Sequence, residues 1–223
     1  MRISQAVEDY LKTIYRLELE SKGEGVSTTK IANLMKVSSA SVTNMIKRLA
    51  KLGMVRYESY YGTTLTDSGR KIALEIIRHH RLLELYLKEI MGYSWDQVHD
   101  EAENLEHHIS EQFEDKIAEL LDHPTHDPHG DPIPTKEGVI PEIASRPLTE
   151  VRESKDYLLG RVKNQDPELL RYLDDIGLIP GVRIKVLEKA PLKGPVTIEV
   201  EGESTAIGYD VATHLYVMSA KNS

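Results

Sequence analysis

The sequence has no cysteine. This absence excludes disulfides, thiol catalysis and thiolate metal sites, so a bound metal ion would be held by histidine, carboxylate or carbonyl groups. No apolar run approaches the roughly 18 residues of a membrane-spanning helix, and the first residues lack the basic and apolar regions of a signal peptide. We therefore expect a cytoplasmic protein without a membrane partner.

Charge is distributed unevenly along the 223 residues, a length that favours two domains. Residues 1–73 carry 12 Lys and Arg against 7 Asp and Glu, residues 74–150 carry 6 against 18, and residues 151–223 carry 10 against 11. The net charge of −8 therefore hides a basic N-terminal third, which can contact DNA phosphates. Eight of the nine histidines lie between His79 and His129, in the acidic middle third.

The N-terminal third has the element order of a winged helix-turn-helix. Apolar spacing predicts a helix over residues 5–19 and two short helices on either side of the turn "MKVSS", with Ser39 as the N-cap of the second. Bulky and polar residues then alternate in "VRYESYYGTTLT", which predicts a hairpin. The second short helix would enter the major groove. The residues predicted to contact DNA are Thr28, Ser38, Ser39, Ser41, Thr43, Asn44, Lys47, Arg48 and Tyr61.

The rest of the chain predicts two long helices and a small β module. Apolar periodicity favours one helix from Asp67 to Met91 and another from about Ser94 to Leu121. A loop rich in proline and glycine follows, and then short β-type runs around one helix that starts near Asp166, which fit a small barrel. We predict a mainly α fold with domains at 1–73, 74–141 and 151–223 and a linker at 142–150.

One stretch of the second long helix, "VHDEAENLEHHISE" at residues 98–111, holds five carboxylates and three histidines but no lysine or arginine. On a continuous helix at 100° per residue, His99, Glu103, Glu106 and His107 share one face. Like charges at i,i+4 each cost a helix a few tenths of a kcal/mol, and a divalent ion would offset that cost. A solvated acidic face, which binds nothing, is the alternative.

The ligand chemistry points to a hard or borderline ion. Oxygen and imidazole ligands without sulfur suit Mn(II) or Fe(II), although Zn(II) would bind with higher raw affinity. The zinc-protease motif H-E-x-x-H is absent, and no nucleophile or general-base constellation stands out. We therefore expect no catalytic residues and no small-molecule substrate. A metal-buffering or hydrolytic protein remains the alternative from another functional class.

The chain resembles the metal-dependent transcriptional repressors of the diphtheria toxin repressor type. The segments that carry the resemblance follow one another along nearly the whole chain: "EDYLKTIY", "LTDSGRKIA", "RHHRLLELYL", "VHDEAENLEHH", "PHGDPIP" and "LLRYLDDIGLIPGVRIKV". The last is similar to the SH3-like (FeoA-like) module of the longer members. The resemblance implies a homodimer that binds a pseudo-palindromic operator when its metal is present and represses metal-uptake genes.

The resemblance also implies a principal site made of Asp9, Glu103, Glu106 and His107. In the iron-responsive branch methionine and cysteine replace Asp9 and Glu103, so two carboxylates favour the manganese branch. Some manganese-responsive members have a glutamate where this chain has Lys12, which argues against a close pair of ions.

A second site is implied at His80, Glu84 and His99, with Asp127, His129 and Asp166 as further candidate ligands. We expect Mn(II) as the cofactor, with Fe(II) as the alternative and Zn(II), Co(II), Ni(II) or Cd(II) as substitutes in vitro. The remaining histidines are expected to be solvated or, for the last, packed against the barrel: His79, His108, His123, His126 and His214.

Overall fold

The computed structural model describes residues 3–21, 25–58 and 60–220. These residues form two compact units. The first comprises residues 1–80, 105–109 and 134–139, and the second comprises residues 81–104, 110–133 and 140–223. The predicted boundaries at residues 73 and 141 do not coincide with the limits of these units, so the three-domain division stays a prediction. No helix in the described part is long and apolar enough to cross a membrane.

The first unit contains the predicted winged helix-turn-helix. Its elements are α1 (Gln5–Glu20), α2 (Thr28–Met35), α3 (Ser39–Lys51), β1 (Val55–Glu58), β2 (Gly62–Leu65) and the start of α4 (Asp67–Glu89). Strands β1 and β2 pair antiparallel and form the wing. Leu11, Ile31 and Leu49 are fully buried between the helices. The predicted winged helix-turn-helix fold is confirmed.

The turn between α2 and α3 differs from the prediction at its cap. Lys36 takes a left-handed conformation with φ of 54°, which ends α2. Ser38, not Ser39, is the N-cap of α3, because its side chain accepts a hydrogen bond from the Ser41 backbone N–H. Ser39 is the first helical residue.

The predicted helix from Ser94 to Leu121 is wrong, because it is two helices. Helix α5 (Val98–Leu105) is followed by a turn at residues 106–108, and α6 (Glu111–Leu120) begins after Ser110. The Ser110 hydroxyl accepts a hydrogen bond from the Phe113 N–H, and Glu111 and Glu114 lie in the first turn of α6, where negative charge favours a helix start. Glu106 and His107 therefore lie in a turn, not on a helix face.

The C-terminal module is an antiparallel sheet with the strand order β3-β8-β4-β5-β6-β7. The strands are β3 (Arg146–Pro147), β4 (Lys155–Val162), β5 (Arg183–Lys189), β6 (Val196–Val200), β7 (Glu203–Ile207) and β8 (Leu215–Ser219), with helices α7 (Pro167–Asp175) and α8 (Tyr209–Ala212). Among the described strands β3 and β7 are the two edge strands, each paired on one side only, so the predicted barrel is not closed. Strand β3 and a 3-10 turn (Leu148–Glu150) lie in the predicted linker, and β7 was not predicted.

The core of the C-terminal module includes a residue from outside it. Trp95, which precedes α5, is buried with Leu148, Leu159, Leu173 and Ile198. Arg171 Nη1 on α7 lies 2.9 Å from Asp96 Oδ2, next to this tryptophan. The segment before α5 is therefore part of the packing of this module.

Candidate metal centres and DNA-binding surface

The first candidate centre joins α1 to the turn at residues 106–108. Asp9, Glu106 and His107 each bring one ligand atom to within 4.8 Å of the other two. His107 Nε2 lies 2.9 Å from Asp9 Oδ1 and 3.3 Å from Glu106 Oε1. Three of the four ligands expected for the principal site are thus brought together within the first unit.

Glu8 fixes the orientation of His107. His107 Nδ1 lies 2.6 Å from Glu8 Oε2. We assign the ring proton to Nδ1, which donates to the carboxylate, as is usual for metal-binding imidazoles. The lone pair of Nε2 then faces two carboxylate oxygens, which a cation between them would stabilise. Sequence reasoning missed Glu8, because only the folded contact distinguishes it from its neighbours on α1.

The Glu106 carboxylate is fully buried and surrounded by nitrogen. Lys12 Nζ donates to both of its oxygens at 2.8 Å, and His80 Nδ1 lies 2.6 Å from Oε2. His79 Nδ1 lies 3.1 Å from the Glu106 carbonyl oxygen. His79 is buried, which corrects the expectation that it is solvated.

Glu103 and His99 lie on the part of α5 that belongs to the second unit. Glu103 is exposed, and it stays a predicted ligand of the first centre. His99 Nδ1 lies 3.1 Å from Glu84 Oε1 on α4, as expected for partners in a second site. His80, which was predicted beside them, hydrogen-bonds to Glu106 in the first unit.

The second candidate centre consists of Glu84, Asp127 and His129, all of them buried. His129 Nδ1 lies 3.7 Å from Glu84 Oε2 and 4.0 Å from Asp127 Oδ1, and it has no hydrogen-bond partner among the described residues. His129 Nε2 lies 2.9 Å from the Trp95 carbonyl oxygen, so we assign the proton to Nε2. The lone pair of Nδ1 then faces two carboxylates, as in the first centre.

The second centre places two buried carboxylates, Glu84 and Asp127, beside His129, and Arg81 Nε lies 3.6 Å from Asp127 Oδ2. Burial, with the nearby Glu84 and Asp131 carboxylates, raises the pKa of Asp127 to about 7. Burial disfavours the His129 imidazolium, but the Glu84 and Asp127 carboxylates outweigh it and raise the pKa of His129. Buried carboxylates are stabilised by pairing or by metal coordination. A divalent ion fits this donor set.

Asp166, predicted as a possible ligand, caps α7 instead. Its Oδ1 accepts hydrogen bonds from the backbone N–H groups of Glu168 and Leu169. It belongs to neither candidate centre. Three histidines are exposed, as expected, and one is half-buried: His108, His123, His126 and His214.

Exposed polar residues cover the start of α3, the predicted recognition helix. Ser38, Ser39, Ser41, Asn44, Lys47 and Arg48 are exposed, and Thr28 and Thr43 are half-buried. The Thr43 hydroxyl donates to the Ser39 carbonyl, so it can only accept a hydrogen bond from a base edge. On the wing Tyr61 is 77% exposed and Tyr60 is fully exposed. Tyr60 was not among the predicted DNA contacts.

Comparison with known proteins covers almost the whole chain. Residues 2–63 match the iron dependent repressor N-terminal DNA binding domain, residues 66–135 match the iron dependent repressor metal binding and dimerisation domain, and residues 146–219 match the FeoA domain. The iron-dependent repressor IdeR of Mycobacterium tuberculosis (strain ATCC 25618 / H37Rv) is 33% identical over an alignment of 223 positions. The alignment covers 92% of this chain and 93% of that one. The chain belongs to the iron-dependent repressor family.

Related proteins of known structure have been solved with different bound ions. A manganese-dependent transcriptional repressor in complex with manganese is 36% identical, with a TM-score of 0.83 over 96% of this chain and 100% of that one. ScaR with bound Cd²⁺ is 35% identical, with a TM-score of 0.77 over 96% and 99%.

Membership of the iron-dependent repressor family confirms the fold class and the functional class expected from sequence. The chain is a metal-responsive transcriptional repressor, and its family consists of DNA-binding repressors, not enzymes. The hydrolytic alternative is therefore dismissed.

Proposed function

We propose that the chain is a Mn(II)-responsive repressor that acts as a homodimer in the cytoplasm and controls metal-uptake genes. The observation that carries this proposal is the position of His107 Nε2, which lies 2.9 Å from Asp9 Oδ1 and 3.3 Å from Glu106 Oε1. Carboxylate-rich ligation without sulfur suits Mn(II) by ligand type, although Zn(II) would bind with higher raw affinity. Similarity to a manganese-dependent repressor in complex with manganese supports this choice, and Fe(II) is the alternative.

At the first centre Asp9, Glu106 and His107 would hold the ion, with Glu103 as the fourth ligand predicted from sequence. A divalent ion would supply the positive charge that neutralises these carboxylates. Glu8 holds the imidazole so that Nε2 is directed at the ion. Glu84, Asp127 and His129 would hold a second ion in the other unit.

The switch lies in the position of α1. Asp9 belongs to α1, which packs against α2 of the DNA-binding domain, whereas Glu106 and His107 belong to the turn after α5. With its charge neutralised, Asp9 stays beside the turn and fixes α1, and therefore α2 and α3, in one arrangement. The ion favours this arrangement only by its differential affinity, and by reciprocity operator DNA must strengthen metal binding by the same factor.

Two observations support a dimer on operator DNA. The family model for residues 66–135 is described as a metal binding and dimerisation domain. The second unit exposes apolar side chains just after α4 and on α6, namely Ile90, Met91, Phe113 and Leu120. In a dimer, two α3 helices about 34 Å apart would reach successive major grooves.

Replacing Asp9 tests the first centre directly. We expect Asp9→Ala to lower Mn(II)-dependent binding of duplex DNA by at least about 50-fold, because the link between α1 and the turn is lost. The duplexes would be selected from a random pool by the Mn(II)-loaded wild-type protein, and binding would be followed by fluorescence anisotropy. Glu111→Ala, which removes an exposed carboxylate of α6, is the matched control. Equal Mn(II) dependence in both variants would reject the proposed centre.

A further inference from the structure

The loop at residues 127–131 carries two ligands of the second centre and is packed against the C-terminal module. Asp127 Oδ1 accepts hydrogen bonds from the backbone N–H groups of His129 and Asp131, which gives the loop its tight shape. This loop and the C-terminal module both belong to the second unit.

Strand β4 has an irregularity at the point where this loop meets it. The pairing of β4 with β8 shifts register between Leu159 and Arg161, which leaves Gly160 in a β-bulge. The Val162 N–H donates to the His129 carbonyl oxygen at 2.8 Å. A Cβ atom on Gly130 would overlap the Gly160 carbonyl oxygen. The lack of a side chain on Gly130 thus permits this close approach of the two backbones.

Side chains on β4 and just after it hold the end of the loop. Arg161 Nη2 forms an ion pair with Asp131 Oδ1, and Gln165 Nε2 donates to Asp131 Oδ2 at 3.3 Å. Trp95, from the core of the module, holds the opposite edge of His129: its carbonyl oxygen accepts from Nε2, and its indole stacks on the imidazole with 5.7 Å between ring centroids.

The module, together with Trp95 that is buried in its core, supplies these contacts but no ligand atom. Among the residues that the structure describes, the second centre takes its ligand atoms from Glu84, Asp127 and His129, and none from residues 142–220. A ligand that is held rigidly loses less conformational freedom when it binds an ion, so support from neighbouring groups raises affinity.

We propose that the loop at residues 127–131 is held in place by packing on the β4 bulge at Gly160. The C-terminal module thereby positions Asp127 and His129 and sets the affinity of the second metal centre. Arg161 is a positioning residue in this arrangement. The inference rests on the second centre of the proposed function. By linkage, an ion bound at that centre must in turn stabilise the packing of the module against the loop.

The test uses the full chain with His107→Ala, which removes the first centre and leaves the second. Mn(II) binding is measured by the electron paramagnetic resonance signal of the free ion. We expect one ion per chain, and we expect Gly130→Ala in this background to raise its Kd at least about tenfold, because the added methyl group pushes the loop off β4 without changing any charge.

Gly177→Ala is the matched control. Gly177 lies in the C-terminal module, within the same compact unit as Gly130. Its backbone is similarly left-handed, with φ of 68° against 84° for Gly130, but a Cβ there meets no atom within 4 Å. We expect its Kd to stay within about twofold of the parent. If Gly130→Ala does not fold, Arg161→Met decides, since it breaks the ion pair with Asp131. Loss of a cation alone would favour Mn(II) binding, so the expected rise in Kd would come from the loop.

A second readout follows the module itself. Trp95 is the single tryptophan of the chain, so its fluorescence reports on thermal unfolding of the core in which it lies. Mn(II) should raise the midpoint in the His107→Ala chain, and Gly130→Ala should remove most of that rise. Equal Kd values and equal Mn(II)-induced shifts in the Gly130 and Gly177 variants would overturn the inference. Failure of the His107→Ala chain to bind Mn(II) at all would reject the second centre itself.

Discussion

Lys12 distinguishes the first centre from that of the manganese-responsive repressors that have a glutamate at this position. Its ammonium group lies 2.8 Å from both oxygens of the buried Glu106 carboxylate, where a second ion would otherwise be attracted. The contact agrees with the expectation that Lys12 disfavours a close pair of ions. It also means that the chain carries its own positive charge beside the site, in competition with the metal.

Replacing Lys12 should therefore strengthen metal binding. Two unit charges about 4 Å apart interact by about 4 kcal/mol at an effective dielectric constant near 20. The Lys12 side chain is partly exposed, which screens this repulsion. We expect Lys12→Met to lower the Kd for Mn(II) at the first centre about tenfold, measured by calorimetry. Lys116→Met, at an exposed ion pair on α6, should leave it unchanged. Weaker binding in Lys12→Met would show that the lysine assists the site.

Asp127 should make the stability of the metal-free protein depend on pH. Its pKa is raised to about 7 in the folded chain, from an unfolded value near 4. Between these values the folded state binds more protons than the unfolded state, so the contribution of Asp127 to stability is present below about pH 4 and is lost as the pH rises through 7. The thermal midpoint of Asp127→Asn in chelator should therefore rise relative to wild type over this window. A constant difference would contradict the assignment.

At this scale the sequence predicted ligand types better than contacts. Glu106 and His107 could be predicted because acidic and histidine residues repeat at short spacing without a compensating cation. Glu8 and Trp95 could not, because a hydrogen bond to an imidazole across the fold leaves no periodic pattern in the sequence.

At the scale of elements, helix breaks and edge strands were the features that periodicity could not predict. Apolar residues keep their helical spacing across residues 106–110, so the break is invisible to it, and the available signal was Ser110 as an N-cap. Strand β7, "ESTAI", is mostly polar and exposed, as befits an edge strand, and it lacks the apolar alternation that identified β4, β5, β6 and β8.

On helix α3, the contributions of base contacts and of phosphate contacts to DNA binding can be tested separately. Asn44, near its start, can hydrogen-bond to a base edge, whereas Lys47 can contact phosphates. We expect Asn44→Ala to relax sequence preference at one base pair, with a loss of about 1–3 kcal/mol for the preferred duplex only. Lys47→Ala should weaken all duplexes alike and reduce the slope of log affinity against log salt by about one.

These two variants are compared by anisotropy on the selected duplex and on its point mutants at several salt concentrations. Identical effects of the two variants on every duplex would mean that α3 does not read bases.

At the scale of the whole molecule, basic and acidic residues are concentrated in different parts of the chain. The basic residues that we expect to contact DNA lie in residues 1–73, and the excess acid lies in residues 74–150, around the candidate metal ligands. This division was predictable from counting charges. The two compact units were not, because short segments at residues 105–109 and 134–139 pack with the N-terminal unit although they are distant from it in sequence.

The exposed apolar side chains of the second unit should hold the dimer together. Phe113 and Leu120 are 46% and 59% exposed and lie seven residues apart, on one face of α6. We expect Phe113→Glu to yield monomers in analytical ultracentrifugation, to retain Mn(II) binding and to lose operator binding by at least about 50-fold. Leu192→Glu, at the fully exposed tip of the β5–β6 hairpin, is the control. A dimer that survives Phe113→Glu would exclude this face.

The most direct test of the central claim, that an ion shared by α1 and the turn after α5 controls DNA binding, is an anaerobic anisotropy titration on one selected duplex with chelator, Mn(II) and Fe(II). We expect weak, non-specific binding in chelator and restoration of at least about 50-fold tighter binding by Mn(II). Equal affinity after complete chelation would contradict it.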